Sequence, residues 1–210
     1  YWGLAVEPDS SCYAIVANAY SNADMGEEGA KRAEELVERL SSKPTLQIKT
    51  NRVLLSAVVK AWARADNWVK ANEWLERMKA SESQNSESGP DVFTYTTYLE
   101  ALYKSNSKSN DEIKQEALNM LEEMKKLPNE NARPNAYTYA SVMKCVSRSN
   151  DMERVEALLQ ERIQMYHDSG KELNMKPSAR DYSAVVDAWA KAGRGLEGAK
   201  RADALLQELK

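Results

Sequence analysis

Apolar and polar positions along this chain follow the period of an amphipathic helix. In residues 10–22 the apolar side chains fall at i, i+3, i+4 and i+7, which is one face of a helix with 3.6 residues per turn; they are Tyr13, Val16, Ala17 and Tyr20. A second stretch that ends near Leu40 repeats the pattern. These residues therefore predict two successive helices, each with one apolar face.

The same pair of patterns recurs along the whole chain. The fourth residue of each first helix serves as an anchor, and the anchors are Tyr13, Leu55, Tyr95, Tyr139 and Tyr182. They lie 42, 40, 44 and 43 residues apart, and a fixed period of this size indicates a repeat array. We predict an all-α fold, an α-solenoid of about five helix-turn-helix repeats in a single domain over residues 1–210. Its units span approximately 8–50, 51–91, 92–135, 136–178 and 179–210.

Neighbouring hairpins must stack, because one hairpin cannot bury its apolar face alone. The predicted first helices are 10–22, 52–64, 92–104, 136–148 and 179–191. A small residue falls at the same place in each of them: Ala19, Ala61, Ala101, Cys145 and Ala188. Small side chains there would let adjacent helices approach closely, which assigns Cys145 a packing role. Residues 26–40 also return, with changes, as 195–209.

Composition excludes several classes of function. Charged residues make up 29% of the chain, no apolar run is long enough to cross a bilayer, and the two cysteines lack metal-ligand spacing. We expect no membrane partner, no metal, no cofactor and no small-molecule substrate. No catalytic motif is present, and His167 is interpreted as a solvated loop residue. Because the chain begins at Tyr1 rather than Met, we interpret it as a fragment; a targeting peptide, further repeats or a catalytic domain could lie outside it.

Positive charge is concentrated on the first helices. They carry eight basic and three acidic residues, a net charge of +5, whereas the whole chain carries −3. Four cations occupy equivalent positions near the ends of these helices: Arg64, Lys104, Arg148 and Lys191. One cation per repeat would follow a phosphodiester backbone and supply phosphate contacts. The alternative is that cations near a helix C-terminus interact with its macrodipole.

Several short motifs resemble the pentatricopeptide repeat family. They are the Pro-Asp and Pro-Asn endings before first helices, the x-x-Thr-Tyr helix starts at 92–95 and 136–139, and the Ala-Trp-Ala helix ends at 61–63 and 188–190. The Trp-x-x-Leu-Gly-x-x-Tyr pattern of tetratricopeptide repeats is absent, and HEAT repeats lack the Pro-Asp and Thr-Tyr features. The units are longer than is usual for the pentatricopeptide family.

The resemblance implies a right-handed superhelix that binds single-stranded RNA in a mitochondrion or plastid, for RNA processing, stability or translation, with one base read per repeat. It further implies base-reading pairs, which are Ala14 with Asn51, Ser56 with Asp91, Thr96 with Asn135, and Ala140 with Ser178, followed by Ser183 without a mate. Under the family's correspondence, Ser/Asp favours guanine and Thr/Asn favours adenine. Base-stacking is implied for Val53, Phe93 and Tyr137, with Arg180 replacing the apolar residue in unit five.

Other interpretations of these residues remain open at this stage. Asp91, Asn135 and Ser178 each follow a proline and precede a helix, so all three are also favoured N-caps. Phe93 and Tyr137 could instead be packing residues. A helical array can also hold a peptide or a partner helix, and we retain a protein-protein interaction scaffold as the alternative function.

Overall fold

The computed structural model describes residues 8–41, 52–82, 89–168, 170 and 176–208, and there the chain forms α-helices. These are α1 (Ser10–Asn22), α2 (Glu27–Ser41), α3 (Arg52–Arg64), α4 (Trp68–Glu82), α5 (Val92–Lys104), α6 (Asn110–Lys126), α7 (Ala136–Ser147), α8 (Met152–Asp168), α9 (Ala179–Lys191) and α10 (Gly195–Glu208). A 3₁₀ turn, Glu130–Ala132, precedes α7. Within the described part of the chain, no helix is long and apolar enough to span a membrane.

The predicted first helices are confirmed almost residue for residue. Four have the predicted bounds, and α7 ends one residue early because Arg148 is its C-cap. Three of the starts have the same local cause: in α1, α5 and α7 a proline precedes the N-cap, and the aspartate or asparagine side chain accepts hydrogen bonds from the first free N–H groups. The all-α repeat fold is therefore confirmed.

The chain divides into two compact units, residues 1–94 and 95–210. In the first unit, α1 packs against α2 and α3, and α3 also packs against α2 and α4. In the second unit, α7 packs against α6, α8 and α9, and α9 packs against α8 and α10. The first helices α3, α7 and α9 thus each lie between their own second helix and the hairpin before it, as stacking of one-sided apolar helices requires.

Most of the predicted apolar positions form the core, but Val16 of α1 is exposed and Tyr13 and Tyr20 are only half-buried. Ala61, Ala101, Cys145 and Ala188 of the small-residue column are buried, whereas Ala19 is exposed. Cys145 shows what this column does, because its thiol lies 3.5 Å from the carbonyl oxygen of Leu99 in the preceding first helix. Burial raises the pKa of the Cys145 thiol to about 12, which fits packing rather than reactivity. The prediction of close packing at Ala19 is not met among the described residues.

Two glycines explain why residues 26–40 and 195–209 resemble each other. A Cβ atom on Gly29 would lie 2.9 Å from the carbonyl oxygen of Tyr20, and one on Gly198 would lie 2.8 Å from that of Trp189. Both second helices therefore approach the end of their first helix more closely than any side chain permits.

A tryptophan-carboxylate contact joins successive hairpins within each of the two compact units. The Trp62 indole N–H donates to Glu34 Oε2 at 2.9 Å, and Trp189 donates to Glu156 Oε1 at 2.6 Å. Each carboxylate also meets a cation of the later hairpin, with Lys70 3.6 Å from Glu34 and Arg201 2.7 Å from Glu156. Glu34 therefore joins two hairpins through Trp62 and Lys70.

Arg148 makes a different connection between hairpins. Its Nη1 donates to the carbonyl oxygens of Tyr103 at 2.6 Å and Ser105 at 2.7 Å, and its Nε donates to Asn110 at 3.1 Å. These carbonyls lie at the end of α5, where a helix has no internal donors left. Arg148 therefore caps the preceding first helix.

We expect Glu156→Gln to reduce the dependence of stability on pH. Arg201 lowers the pKa of Glu156 in the folded chain. The stabilisation is complete above the ordinary glutamate pKa and is lost as pH falls through the lowered value. Glutamine keeps an acceptor for Trp189 and removes the ion pair, so the variant should lose about 1 kcal/mol at pH 7 and little at pH 3. Urea unfolding followed by circular dichroism at both pH values measures this, and equal losses at both would contradict it.

We expect Arg148→Gln to lower the free energy of unfolding by about 1–3 kcal/mol, since the α5 carbonyls would lose charged donors. Lys104→Gln is the matched control, because Lys104 is the equivalent cation of α5 and is exposed. Urea unfolding of both variants at neutral pH measures the difference. Equal stability of the two variants would refute the capping role.

Candidate nucleic-acid interface

The predicted stacking side chains are exposed at the starts of the first helices. Val53, Phe93 and Tyr137 are the second residues of α3, α5 and α7, and their exposed fractions are 51%, 63% and 54%. Phe93 and Tyr137 therefore lie at the surface and not in the core, although part of each side chain is still covered. An exposed ring at the same position in successive units is suited to stacking against a base.

Asp91 and Asn135 are N-caps, as predicted, and the capping atom is the same in both. Asp91 Oδ1 accepts from the Thr94 backbone N–H at 2.9 Å. Asn135 Oδ1 accepts from the backbone N–H groups of Tyr137 at 2.9 Å and Thr138 at 3.1 Å. Capping thus leaves a second carboxylate oxygen on Asp91 and an amide NH₂ group on Asn135. The first is an acceptor and the second is a donor.

A threonine hydroxyl links each of these caps to the residue predicted to read with it. Ser56 Oγ lies 2.7 Å from Thr94 Oγ1, which donates to Asp91 Oδ1 at 2.9 Å. Thr94 is buried, so the link lies beneath the surface. The predicted pair Ser56 and Asp91 is therefore brought together by one intervening side chain.

The next pair has the same arrangement. Thr96 Oγ1 lies 3.3 Å from Thr138 Oγ1, which lies 3.3 Å from Asn135 Oδ1. Thr138 is fully buried. From the sequence, the Thr-Tyr helix start was interpreted only as a family motif, so the linking role of its threonine was missed. The available signal was that a threonine recurs three residues after the N-cap.

A cavity of about 120 Å³ opens between α1, α3 and the start of α5. It is lined by Ser56 and Asp91 of the reading pair, by Val53 and Phe93 of the stacking set, and by Asn18, Arg52, Ala57 and Lys60. Ser56 is only 8% exposed, but the exposed part faces this cavity. Arg52 approaches Asp91 Oδ2 at 3.9 Å and donates from Nε to the Gly89 carbonyl at 2.8 Å. Sequence reasoning also missed Arg52 as a residue of this site.

The remaining predicted reading residues have other surroundings. Ala14 and Ala140 are buried and carry no hydrogen-bonding side chain. Ser183 is exposed, with no further first helix after α9 among the described residues. Asn51 lies outside the described residues. At the fourth pair, the Ser178 hydroxyl donates to Asp181 Oδ2 at 2.8 Å.

The four cations predicted to contact phosphate do not share one environment. Arg64 pairs with the exposed carboxylate of Asp24, and Arg148 caps α5 as described above. Lys104 is exposed. Lys191 pairs with Asp187 of its own helix at 2.7 Å. Arg148 thus interacts with the C-terminal end of the preceding first helix, α5, and not with that of its own helix as the macrodipole alternative expected. Phosphate contact by the four cations stays a prediction.

A metal centre has no support in the part of the chain that the structure describes. No group of three or more histidine, cysteine, aspartate or glutamate side chains there could hold an ion. The cysteines of the described chain are both free, with Cys12 exposed and Cys145 buried.

A family model described as PPR repeat matches residues 53–82, the span of α3 and α4. No curated protein matches the chain. The crystal structure of the pentatricopeptide repeat protein PPR10 from maize is similar over 97% of this chain, with a TM-score of 0.60 and 22% identity. The matched part is 24% of the maize chain, so the present chain spans about a quarter of that length. Residues 53–82 thus match one PPR repeat, and the chain shares its helical-repeat fold with the maize protein.

Proposed function

We propose that this chain binds single-stranded RNA and reads bases at the starts of its first helices. The observation that carries the proposal is the cavity between α1, α3 and α5. It brings the polar groups of Ser56 and Asp91 together with the exposed side chains of Val53 and Phe93. Apolar walls with a few placed polar groups are suited to a base that stacks on its faces and hydrogen-bonds along its edge.

The capping geometry supports different bases at the two linked pairs. Asp91 presents an acceptor oxygen beyond the cap, which complements the N–H and NH₂ donors on the Watson-Crick edge of guanine. Asn135 presents an NH₂ donor, which complements the ring nitrogen acceptor of adenine. The chain would then favour guanine at the pair Ser56 and Asp91 and adenine at the pair Thr96 and Asn135.

The distribution of charge supports a polyanionic ligand. Lys104, Lys144, Arg180 and Lys191 are exposed on the first helices, although the chain as a whole carries −3. Local cations of this kind give phosphate contacts that position the strand without reading its sequence. The biological role that we propose, from the resemblance to pentatricopeptide proteins, is RNA processing, stability or translation in a mitochondrion or plastid.

A protein-binding scaffold is the second candidate function. It is favoured by Ile15 and Val16 of α1, which are 70% and 44% exposed on adjacent positions of one helix. A protein partner recovered after nuclease treatment, together with no measurable RNA affinity, would select this alternative.

We expect Asp91→Asn to change the preferred base at its position from guanine to adenine, because the variant keeps the cap and exchanges an acceptor for a donor. Asn135→Asp should make the reverse change at its own position. One hydrogen bond is worth about 1.4 kcal/mol, or roughly tenfold in affinity. Fluorescence anisotropy with oligouridine 12-mers that contain GA or AG measures both effects, together with AA for the first variant and GG for the second.

These two variants control for each other. Aspartate and asparagine are similar N-caps, so neither variant should unfold the chain, which circular dichroism checks. Unchanged base preference in both variants would reject base reading by these residues.

We expect Lys104→Gln to weaken RNA binding equally for every sequence, since a phosphate contact carries no base information. The slope of log affinity against log salt should fall in magnitude by about 0.7. Lys126→Gln is the control, because Lys126 is an equally exposed cation on the second helix α6. Identical salt slopes for both variants would remove Lys104 from the binding surface.

A further inference from the structure

The first and last hairpins expose apolar residues whose equivalents in other hairpins are buried. Val16 of α1 is 44% exposed, whereas Val58 and Val185, at the same position of α3 and α9, are fully buried. Leu206 of α10 is 48% exposed, whereas Val37, at the same position of α2, is 4% exposed. The helices α3 and α9 pack against the hairpin before them, and α2 packs against the helix after it. No described hairpin precedes α1 or follows α10, which leaves Val16 and Leu206 uncovered.

The first hairpin carries donors at the two positions by which the last hairpin holds its predecessor. Trp189 and Arg201 both donate to Glu156 of α8, at 2.6 Å and 2.7 Å. The residues 169 positions earlier are Tyr20, which is half-buried, and Arg32, which is exposed. Arg32 pairs with a glutamate of its own helix at 2.9 Å, and an exposed ion pair of this kind holds a side chain only weakly. The first hairpin thus presents a hydroxyl and a guanidinium where a carboxylate of a preceding hairpin would lie.

The last hairpin carries the matching acceptor. Asp203 of α10 lies 169 positions after Glu34 of α2, and Glu34 accepts from Trp62 and pairs with Lys70 of the following hairpin. Asp203 is exposed, and it has neither a hydrogen bond nor an ion pair within the part of the chain that the structure describes. Leu206 lies one turn further along the same helix. The exposed face of α10 therefore combines a carboxylate with an apolar side chain, as the covered face of α2 does.

We propose that a second copy of this chain covers both faces, so that copies associate head to tail with the first hairpin of one on α10 of the next. Asp203 of one copy accepts from Tyr20 and Arg32 of its partner, and Leu206 is buried together with the partner's Val16. Donors and acceptor both belong to this chain, and they match the contacts that already join its own hairpins. This complementarity selects a second copy as the occupant. Because the two faces differ, the contact is heterologous, and each copy retains one free face.

Sedimentation equilibrium of the chain without RNA tests this association. The weight-average mass should rise above the monomer value of 23.6 kDa as the concentration increases through the micromolar range. Val16→Arg and Leu206→Arg each place a charge in the apolar contact, so each variant alone should remain a monomer. An equimolar mixture of the two should form a dimer of twice the monomer mass, because each variant keeps the face that the other has lost.

Matched variants separate this contact from non-specific association and from unfolding. Val69→Arg is the control, because Val69 is 81% exposed on α4 and lies on neither face; this variant should associate as the unaltered chain does. Asp203→Lys should weaken association by about tenfold or more, since the lysine would face Arg32 of the partner copy. All the substituted positions are exposed, and circular dichroism verifies that the variants are folded.

Three outcomes would overturn the inference. A mass that stays at 23.6 kDa at every concentration would leave the two faces to another protein or to another segment of the chain. A loss of association in Val69→Arg equal to that in Val16→Arg would show that the contact is not at these faces. A mixture of the two blocked variants that stays monomeric would exclude the head-to-tail arrangement. Because no RNA is present, these outcomes leave the proposed function unaffected.

Discussion

The first turn of each first helix has backbone N–H groups that the helix itself cannot satisfy. The rest of the candidate interface depends on how these groups are capped. Asp91 and Asn135 each use one oxygen for this purpose, at 2.9 Å from a backbone nitrogen. The cap fixes the rotamer of the side chain, so the second heteroatom is held in a defined direction. Folding and recognition thus use opposite ends of one small side chain. Because aspartate and asparagine cap about equally well, the exposed chemistry can change with little effect on the helix.

Buried threonine hydroxyl groups connect the N-cap of one first helix to a side chain of the preceding first helix. Thr94 contacts its own cap and also Ser56 of the preceding first helix, and Thr138 contacts Asn135 and Thr96 in the same way. A buried hydroxyl needs partners, since an unsatisfied polar group in the core costs free energy. The links therefore help set the register of adjacent helices. In α9 the corresponding residue is Asp181, and its buried charge requires Arg162 as a counter-ion.

The cations on the first helices are of two kinds: some make structural contacts, and others are exposed to solvent. Arg148 donates to carbonyl oxygens at the end of α5, and Arg64 pairs with Asp24 across adjacent hairpins. Lys104 and Lys144 project into solvent. The distinction follows from side-chain chemistry in part, because a planar guanidinium can satisfy several acceptors at once. Net charge on a helix therefore overstates the charge available to a polyanion.

Apolar periodicity predicted the first helices and most of the residues that face the core, because a helix that buries one face must repeat its apolar positions every 3.6 residues. Proline followed by an acidic or amide residue likewise determined the N-caps, since capping is a local property. Only the tertiary structure decided how Arg148, Glu34 and Thr94 are used, because each meets a partner roughly 30 to 45 residues away whose direction no local pattern encodes. The same holds for Arg180, since its contact with Tyr137 depends on how two successive hairpins are packed.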